Sequence, residues 1–238
     1  MNMKIDYTGQ NVLVTGGTKG IGKALVDNFR NLGANIWHTG RSDLDNKDRY
    51  FSVDFSKEDQ MKKFLQEISE LELDVVINNA GTNKIGPIED YDDDDYTSII
   101  NLNLTSCFRI MKAVIPGMKA RGYGRIVNIT SISSEISMPL RTAYCSSKFG
   151  LLGLTKAAAV ESASSGVLIN SVGPGVTETK LTVDVLGREK MEEIASNVPA
   201  GRLANVQDIS HIVMFVASSF NTYMVGQNII VDGGYTCV

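Results

Sequence analysis

The chain has 238 residues, 43% of them hydrophobic and 21% charged, with a formal net charge of −4. That balance excludes intrinsic disorder, and the length suffices for one large domain, expected to span 1–238, that needs no disulfide staple or structural metal. No apolar stretch reaches eighteen residues, the start Met1–Tyr7 has no apolar signal core, and the 23 lysines and arginines form no basic run, so no membrane span, secretory leader or nucleic-acid partner is expected.

Taken in chain order, short β-branched runs alternate with longer amphipathic stretches. Strands are predicted at Asn11–Thr15, Asn35–Thr39, Tyr50–Val53, Asp74–Asn78, Arg125–Ile129, Leu168–Val172 and Asn228–Val231. Helices are predicted at Ile21–Leu32, Lys57–Leu71, Asp93–Arg121, Thr142–Ser164 and Val206–Ser219. Near-continuous apolar runs fit strands buried on both faces. The alternation therefore predicts an α/β, doubly wound (Rossmann) fold with a mostly parallel seven-stranded sheet and helices on both faces. Such sheets bind ligands beyond the carboxyl ends of their strands, so the residues that follow each strand carry the functional reading.

The first strand runs into Thr15-Gly16-Gly17-Thr18-Lys19-Gly20-Ile21-Gly22 and then a helix. Glycines there permit a tight turn and let backbone N–H groups and the helix N-terminus approach a pyrophosphate. The spacing, Gly16-x-x-x-Gly20-x-Gly22, differs from the common G-x-G-x-x-G fingerprint. Its place between a first strand and a helix is what points to a dinucleotide. The second strand ends in Gly40-Arg41-Ser42, with Arg41 where a NAD site would carry a carboxylate. A guanidinium suits a 2′-phosphate, and Lys19 is a second cation for it, so NADP(H) is the expected cofactor. Asp43 is the residue that would favour NAD if the strand ended differently.

Tyr144 and Lys148 stand at i, i+4 on one predicted helix face. A nearby ammonium stabilises a phenolate, so such a pair can exchange a proton near neutral pH. Ser131 follows the fifth strand and can hydrogen-bond a carbonyl oxygen. Asn78-Asn79-Ala80-Gly81 ends the fourth strand with residues small enough for close approach. Asp92–Asp95 is read as the acidic first turn of a helix, since a calcium loop would need alternating ligands and a bidentate glutamate. Cys107, Cys145 and Cys237 are odd in number and far apart, which predicts free thiols in a reducing, cytoplasmic setting. Cys145 has no histidine near it in sequence, and with only His38 and His211 in the chain neither a nucleophilic triad nor a metal site is expected.

These motifs together resemble the short-chain dehydrogenase/reductase family, and among its members the 3-oxoacyl-[acyl-carrier-protein] reductases. The resemblance rests on Thr-Gly-x-x-x-Gly-Ile-Gly at 15–22, Asn-Asn-Ala-Gly at 78–81, Asn103, Ser131, Tyr-x-x-x-Lys at 144–148 and Pro174-Gly175. It implies a ketone reductase in which Tyr144 is the general acid, Lys148 holds the nicotinamide ribose, Ser131 orients the carbonyl and Asn103 holds a water. It also implies that Asp54 meets adenine and that Asn79, Ala80 and Gly81 line the adenosine. Pro174, Gly175, Thr177 and Thr179 would meet the nicotinamide carboxamide and phosphates, and the assembly would be a homotetramer or homodimer with Gly226–Gly234 at an interface. The family usually has a helix between the second and third strands, where this chain has only Gly40–Arg49. Residues 177–201 take the place of a substrate loop or lid. Ser133, Met138, Leu140 and Arg141 are further candidates to face substrate, Arg141 toward an anionic group. A sugar-modifying reductase or epimerase and a non-enzymatic NADP(H)-binding regulator are the competing functions. The first usually needs a larger C-terminal domain, and the second has no use for a proton relay.

Overall fold

The computed structural model describes residues 4–42 and 49–238. Seven strands form one sheet in the order β3-β2-β1-β4-β5-β6-β7, and every neighbouring pair is parallel. They are β1 (Asn11–Val14), β2 (Asn35–Gly40), β3 (Tyr50–Ser52), β4 (Val75–Asn78), β5 (Gly124–Ile129), β6 (Val167–Pro174) and β7 (Asn228–Val231). The central strands β4, β5 and β6 are buried along their whole length, as their near-continuous apolar runs predict.

The helices are α1 (Gly20–Asn31), α2 (Glu58–Ser69), α3 (Asp93–Ile100), α4 (Ser106–Arg121), α5 (Thr142–Ser162), α6 (Lys180–Leu186), α7 (Arg188–Asn197) and α8 (Val206–Ala217). They divide over the two faces. Leu25 and Phe29 of α1 and Val213 of α8 pack on one face of the sheet with Val12, Val14 and Val127. Phe64 of α2, Ile110 and Met118 of α4 and Ala159 of α5 pack on the other with Leu13, Val76 and Ile126. A satellite cluster of Met191, Ile194, Val198 and Leu203 lies under α7.

The helix expected over Asp93–Arg121 is present with those bounds, and its interior holds a π-helical turn, Asn101–Thr105, that joins α3 to α4. One wide turn shifts the apolar stripe by about a residue without ending it, so periodicity does not reveal it. Asp92 caps α3 by accepting from the Asp94 N–H at 2.9 Å, which gives the acidic run its helical role. The strand order reverses between β1 and β4, and a cleft of about 1180 Å³ opens over the carboxyl ends there.

Candidate active site

The glycine loop is fixed by contacts that leave no room for a side chain. Gly16 and Gly20 take φ of 66° and 53°, conformations that favour glycine. A Cβ on Gly22 would overlap the Gly16 carbonyl oxygen and stand 2.5 Å from the Asn79 carboxamide. The Asn79 Nδ2 donates to the carbonyls of Thr15 (2.9 Å) and Gly16 (3.2 Å). Thr15 Oγ1 accepts in turn from the N–H groups of Asn79 (2.9 Å) and Ala80 (3.0 Å). The ends of β1 and β4 are thus locked together. Thr39 on β2 accepts from the Gly16 N–H at 3.0 Å, adding the third strand end. Thr15 and Thr39 were not among the residues expected to matter. Their signal was available, as hydroxyls at strand ends beside glycines whose N–H groups need partners.

No side chain caps the twelve-residue α1, so its first N–H groups face the cleft beside Gly20, Ile21 and Gly22. Thr18, Lys19 and Arg41 also line the cleft. Among the described residues, Lys19 and Arg41 form no salt bridge. A glycine cradle, an open helix N-terminus and two uncommitted cations fit a dinucleotide with an extra phosphate. Asp54 follows β3 at the cleft wall. Hydrogen bonds from the Ser56 N–H (2.9 Å) and hydroxyl (2.8 Å) hold its carboxyl below the usual carboxylate range, with the Arg41 charge adding to the effect. Asp43 lies outside the described residues.

At the other end of the cleft, Ser131 ends β5 and accepts from the Ser133 N–H at 3.1 Å, which leaves its own proton free to point outward. Tyr144 and Lys148 rise from the first turns of α5. Lys148 is buried, donates to the Ile129 carbonyl at 2.7 Å, and has its Nζ 5.5 Å from the centre of the Tyr144 ring. The half-buried Tyr144 lines the cleft with Ser131, Lys148 and Gly81, and no hydrogen bond holds its hydroxyl among the described residues. Pro174, Gly175, Thr177 and Thr179 form the facing wall beyond β6. A Cβ on Gly175 would come 2.8 Å from the Asp232 backbone, so this wall rests on the segment after β7.

Among the expected catalytic and cofactor-binding residues, Asn103 does not line the cleft. It is fully buried in the π turn. Its Oδ1 accepts from the Thr82 N–H (2.9 Å), and its Nδ2 donates to the Thr82 carbonyl (2.9 Å) and to Ser147 Oγ (3.0 Å). It joins the end of β4 to α5 between Tyr144 and Lys148. The π turn that puts it there is invisible in its sequence.

Residues 177–201 form two helices. Only α6 borders the cleft, through Lys180, Thr182, Asp184 and Leu186, while Met191 of α7 packs into the satellite cluster. Thr179 caps α6 by accepting from the Thr182 N–H at 3.2 Å, and Thr182 Oγ1 donates to the Thr177 carbonyl at 2.6 Å. Of the other substrate-facing candidates, Ser133, Met138 and Arg141 line the cleft. Leu140 does not; it points outward, 49% exposed, with φ of 63°.

Comparison with known proteins agrees with this geometry. Residues 15–236 match the family described as Enoyl-(Acyl carrier protein) reductase. The chain is 33% identical to the 3-oxoacyl-[acyl-carrier-protein] reductase of Haemophilus influenzae, covering 95% of this chain and 98% of that one. A crystal structure of a putative NAD(P)-dependent gluconate 5-dehydrogenase from Beutenbergia cavernae with bound NADP superposes with a TM-score of 0.93, at 29% identity over 98% of this chain and 99% of that one. A 4-hydroxyisoleucine dehydrogenase complexed with NADH gives a TM-score of 0.90, at 28% identity over 97% of this chain and all of that one. The strand order, the glycine cradle and the serine, tyrosine and lysine at the cleft therefore have one explanation: this chain belongs to the short-chain dehydrogenase/reductase family and is an oxidoreductase.

Proposed function

We propose that the protein uses NADP(H) to interconvert a ketone and a secondary alcohol. NADPH, when bound, supplies the hydride. The observation that carries the reading is a free Tyr144 hydroxyl beside a buried Lys148 and an outward-facing Ser131, all on one cleft with the glycine cradle. Ser131 donates to the carbonyl oxygen and stabilises the charge that develops there. Tyr144 gives its proton to the same oxygen in reduction and takes it back in oxidation. Lys148 stabilises the transient phenolate and has donors to spare for the ribose of the cofactor, since the Ile129 carbonyl uses only one of its three. Asn103 has both amide protons committed, so it positions α5 and Thr82 as well as any water it holds.

Arg41 and Lys19 take the 2′-phosphate, with charge-assisted hydrogen bonds that NADH cannot provide. The bound NADP in the Beutenbergia cavernae structure supports this choice. The named relatives make 3-oxoacyl thioesters and sugar-acid ketones the first substrates to assay. The likeness to the family supports an assembly of identical chains. The test of the chemistry is Tyr144→Phe. It should retain the NADPH-induced rise in melting temperature and lose about 10²- to 10⁴-fold in turnover. Turnover close to that of the parent protein would refute the role of Tyr144.

A further inference from the structure

Resting on that reading, we propose that the substrate carries a carboxylate a few bonds from its reacting carbonyl, and that Arg141 is the residue that binds it. Arg141 precedes the first turn of α5, three residues before Tyr144, and lines the cleft with Ser131 and Met138. One helical turn is about 5.4 Å, so an anion held by this guanidinium lies close to the atom that Tyr144 protonates. The phosphate of a long carrier arm, many bonds from its thioester, does not fit that spacing.

Several charges nearby are matched or engaged, although Asp94 and, on α6, Lys180 and Asp184 line the cleft without a salt bridge among the described residues. Lys84 pairs with Asp95, and Lys148 donates to the Ile129 carbonyl. Arg109, farther along the cleft, pairs with Glu58 through two contacts of 2.7 and 2.9 Å. Among the described residues, the Arg141 guanidinium has no salt bridge and no hydrogen bond, although its charge acts on the Tyr91 phenol. A guanidinium has five donors in a planar fork that matches a carboxylate, and a cleft wall is a costly place to leave them unused.

The backbone also holds Arg141 in place. Leu140, immediately before it, sits at φ 63°, a strained conformation for a branched side chain. Its carbonyl accepts from the Gly86 N–H at 3.0 Å, which clamps the 138–141 turn to the segment after β4. That segment carries Asn83, which lines the same cleft and whose buried Oδ1 has no hydrogen-bond partner among the described residues. As an acceptor, that oxygen suits a donor such as a substrate hydroxyl and not the carboxylate itself. An unpaired cation on the cleft wall suits a small oxo or hydroxy acid better than an apolar acyl chain.

The test measures kcat/KM with NADPH for acetoacetate, 4-oxopentanoate and 5-oxohexanoate, each beside its methyl ester, in the parent protein and in Arg141→Gln. The expected result is a preference for at least one acid over its ester by about 30-fold, a typical worth of a charge-assisted hydrogen bond. In Arg141→Gln that acid should fall to near the rate of its ester through a higher KM, with the ester losing far less than the acid. Arg141→Lys should restore part of the preference. Equal rates for acid and ester in the parent protein would overturn the proposal, as would an equal loss on both in Arg141→Gln. Turnover of the esters reports separately on the reductase chemistry, so a failure there is distinguishable from a failure of Arg141.

Discussion

The two walls of the cleft are built differently. The glycine-loop wall is close-packed: the side chains of Thr15, Thr39 and Asn79 tie three strand ends together through backbone groups, and a methyl group added at Gly16 or Gly22 meets atoms already in place. The α6 wall is held by hydrogen bonds within its own Thr177–Thr182 segment and by a four-residue satellite core under α7. A rigid wall suits a cofactor whose phosphates never vary. A lightly held wall can open for substrate and close over the reaction, as lids do. The difference teaches that, under the proposed function, the cofactor phosphates rest on the more constrained part of the cleft and the cover over the reaction on the less constrained one.

That contrast can be broken most forcefully at a glycine. Gly22→Ala places a methyl group on the Gly16 carbonyl, and we expect a loss of about 3 kcal/mol, seen as a fall of roughly 5–10 °C in melting temperature with NADPH binding abolished. The matching change on the other wall is Gly187→Ala, between α6 and α7. There φ is 74° and ψ 162°, a region open almost only to glycine, but no atom lies within 4 Å of the new Cβ, so the cost of about 1–3 kcal/mol is backbone strain alone and NADPH binding should survive. Loss of NADPH binding in both variants would erase the distinction.

Smaller effects sharpen it. Arg41→Ala should raise the dissociation constant of NADPH by about 30-fold and leave that of NADH within about twofold, measured by fluorescence titration. Thr179→Ala removes the α6 cap and should cost about 1 kcal/mol locally. Its signature is a higher KM for substrate together with a weaker hold on the cofactor, smaller than the loss in Gly22→Ala. The smallest expected effect concerns Cys107, fully enclosed in α4, where burial pushes the thiol up to about 11. A raised value in the folded state means that the protonated thiol is favoured by folding. Its contribution is complete below about pH 9 and is lost as pH climbs through about 11. Melts of Cys107→Ala should therefore show a shallower loss of stability over that interval. A thiol reagent at pH 8 should label the exposed Cys237 and spare Cys107.

Much of the cofactor wall was legible in the sequence because backbone constraint leaves a residue signature. Glycines mark positive φ and close approach, and continuous apolar runs mark buried strands, so the strand boundaries agree to within a residue or two. The π turn at Asn101–Thr105 was not legible, since Leu102 and Leu104 preserve an apolar pattern through it. Nor was the role of Asn103, which depends on Thr82 and Ser147 arriving from other elements. Leu140 at positive φ gives no sign in its residue type, and outward-facing Leu140 was expected in the cleft for that reason. The two lid helices mix charged and apolar residues over lengths too short for a clear period. Chemistry written in backbone geometry reads well from sequence, whereas chemistry that depends on which loop meets which does not.

The central claim is that the glycine wall, with Arg41 and Lys19, is an NADP(H) site. The most direct measurement is the melting temperature with NADPH and with NADH, each at the same saturating concentration. A ligand present at about 100 times its dissociation constant adds roughly 2.7 kcal/mol, or roughly 5–10 °C for a chain of this size. The account predicts that rise with NADPH and a clearly smaller one with NADH. An equal or larger rise with NADH, or none with either, would contradict it.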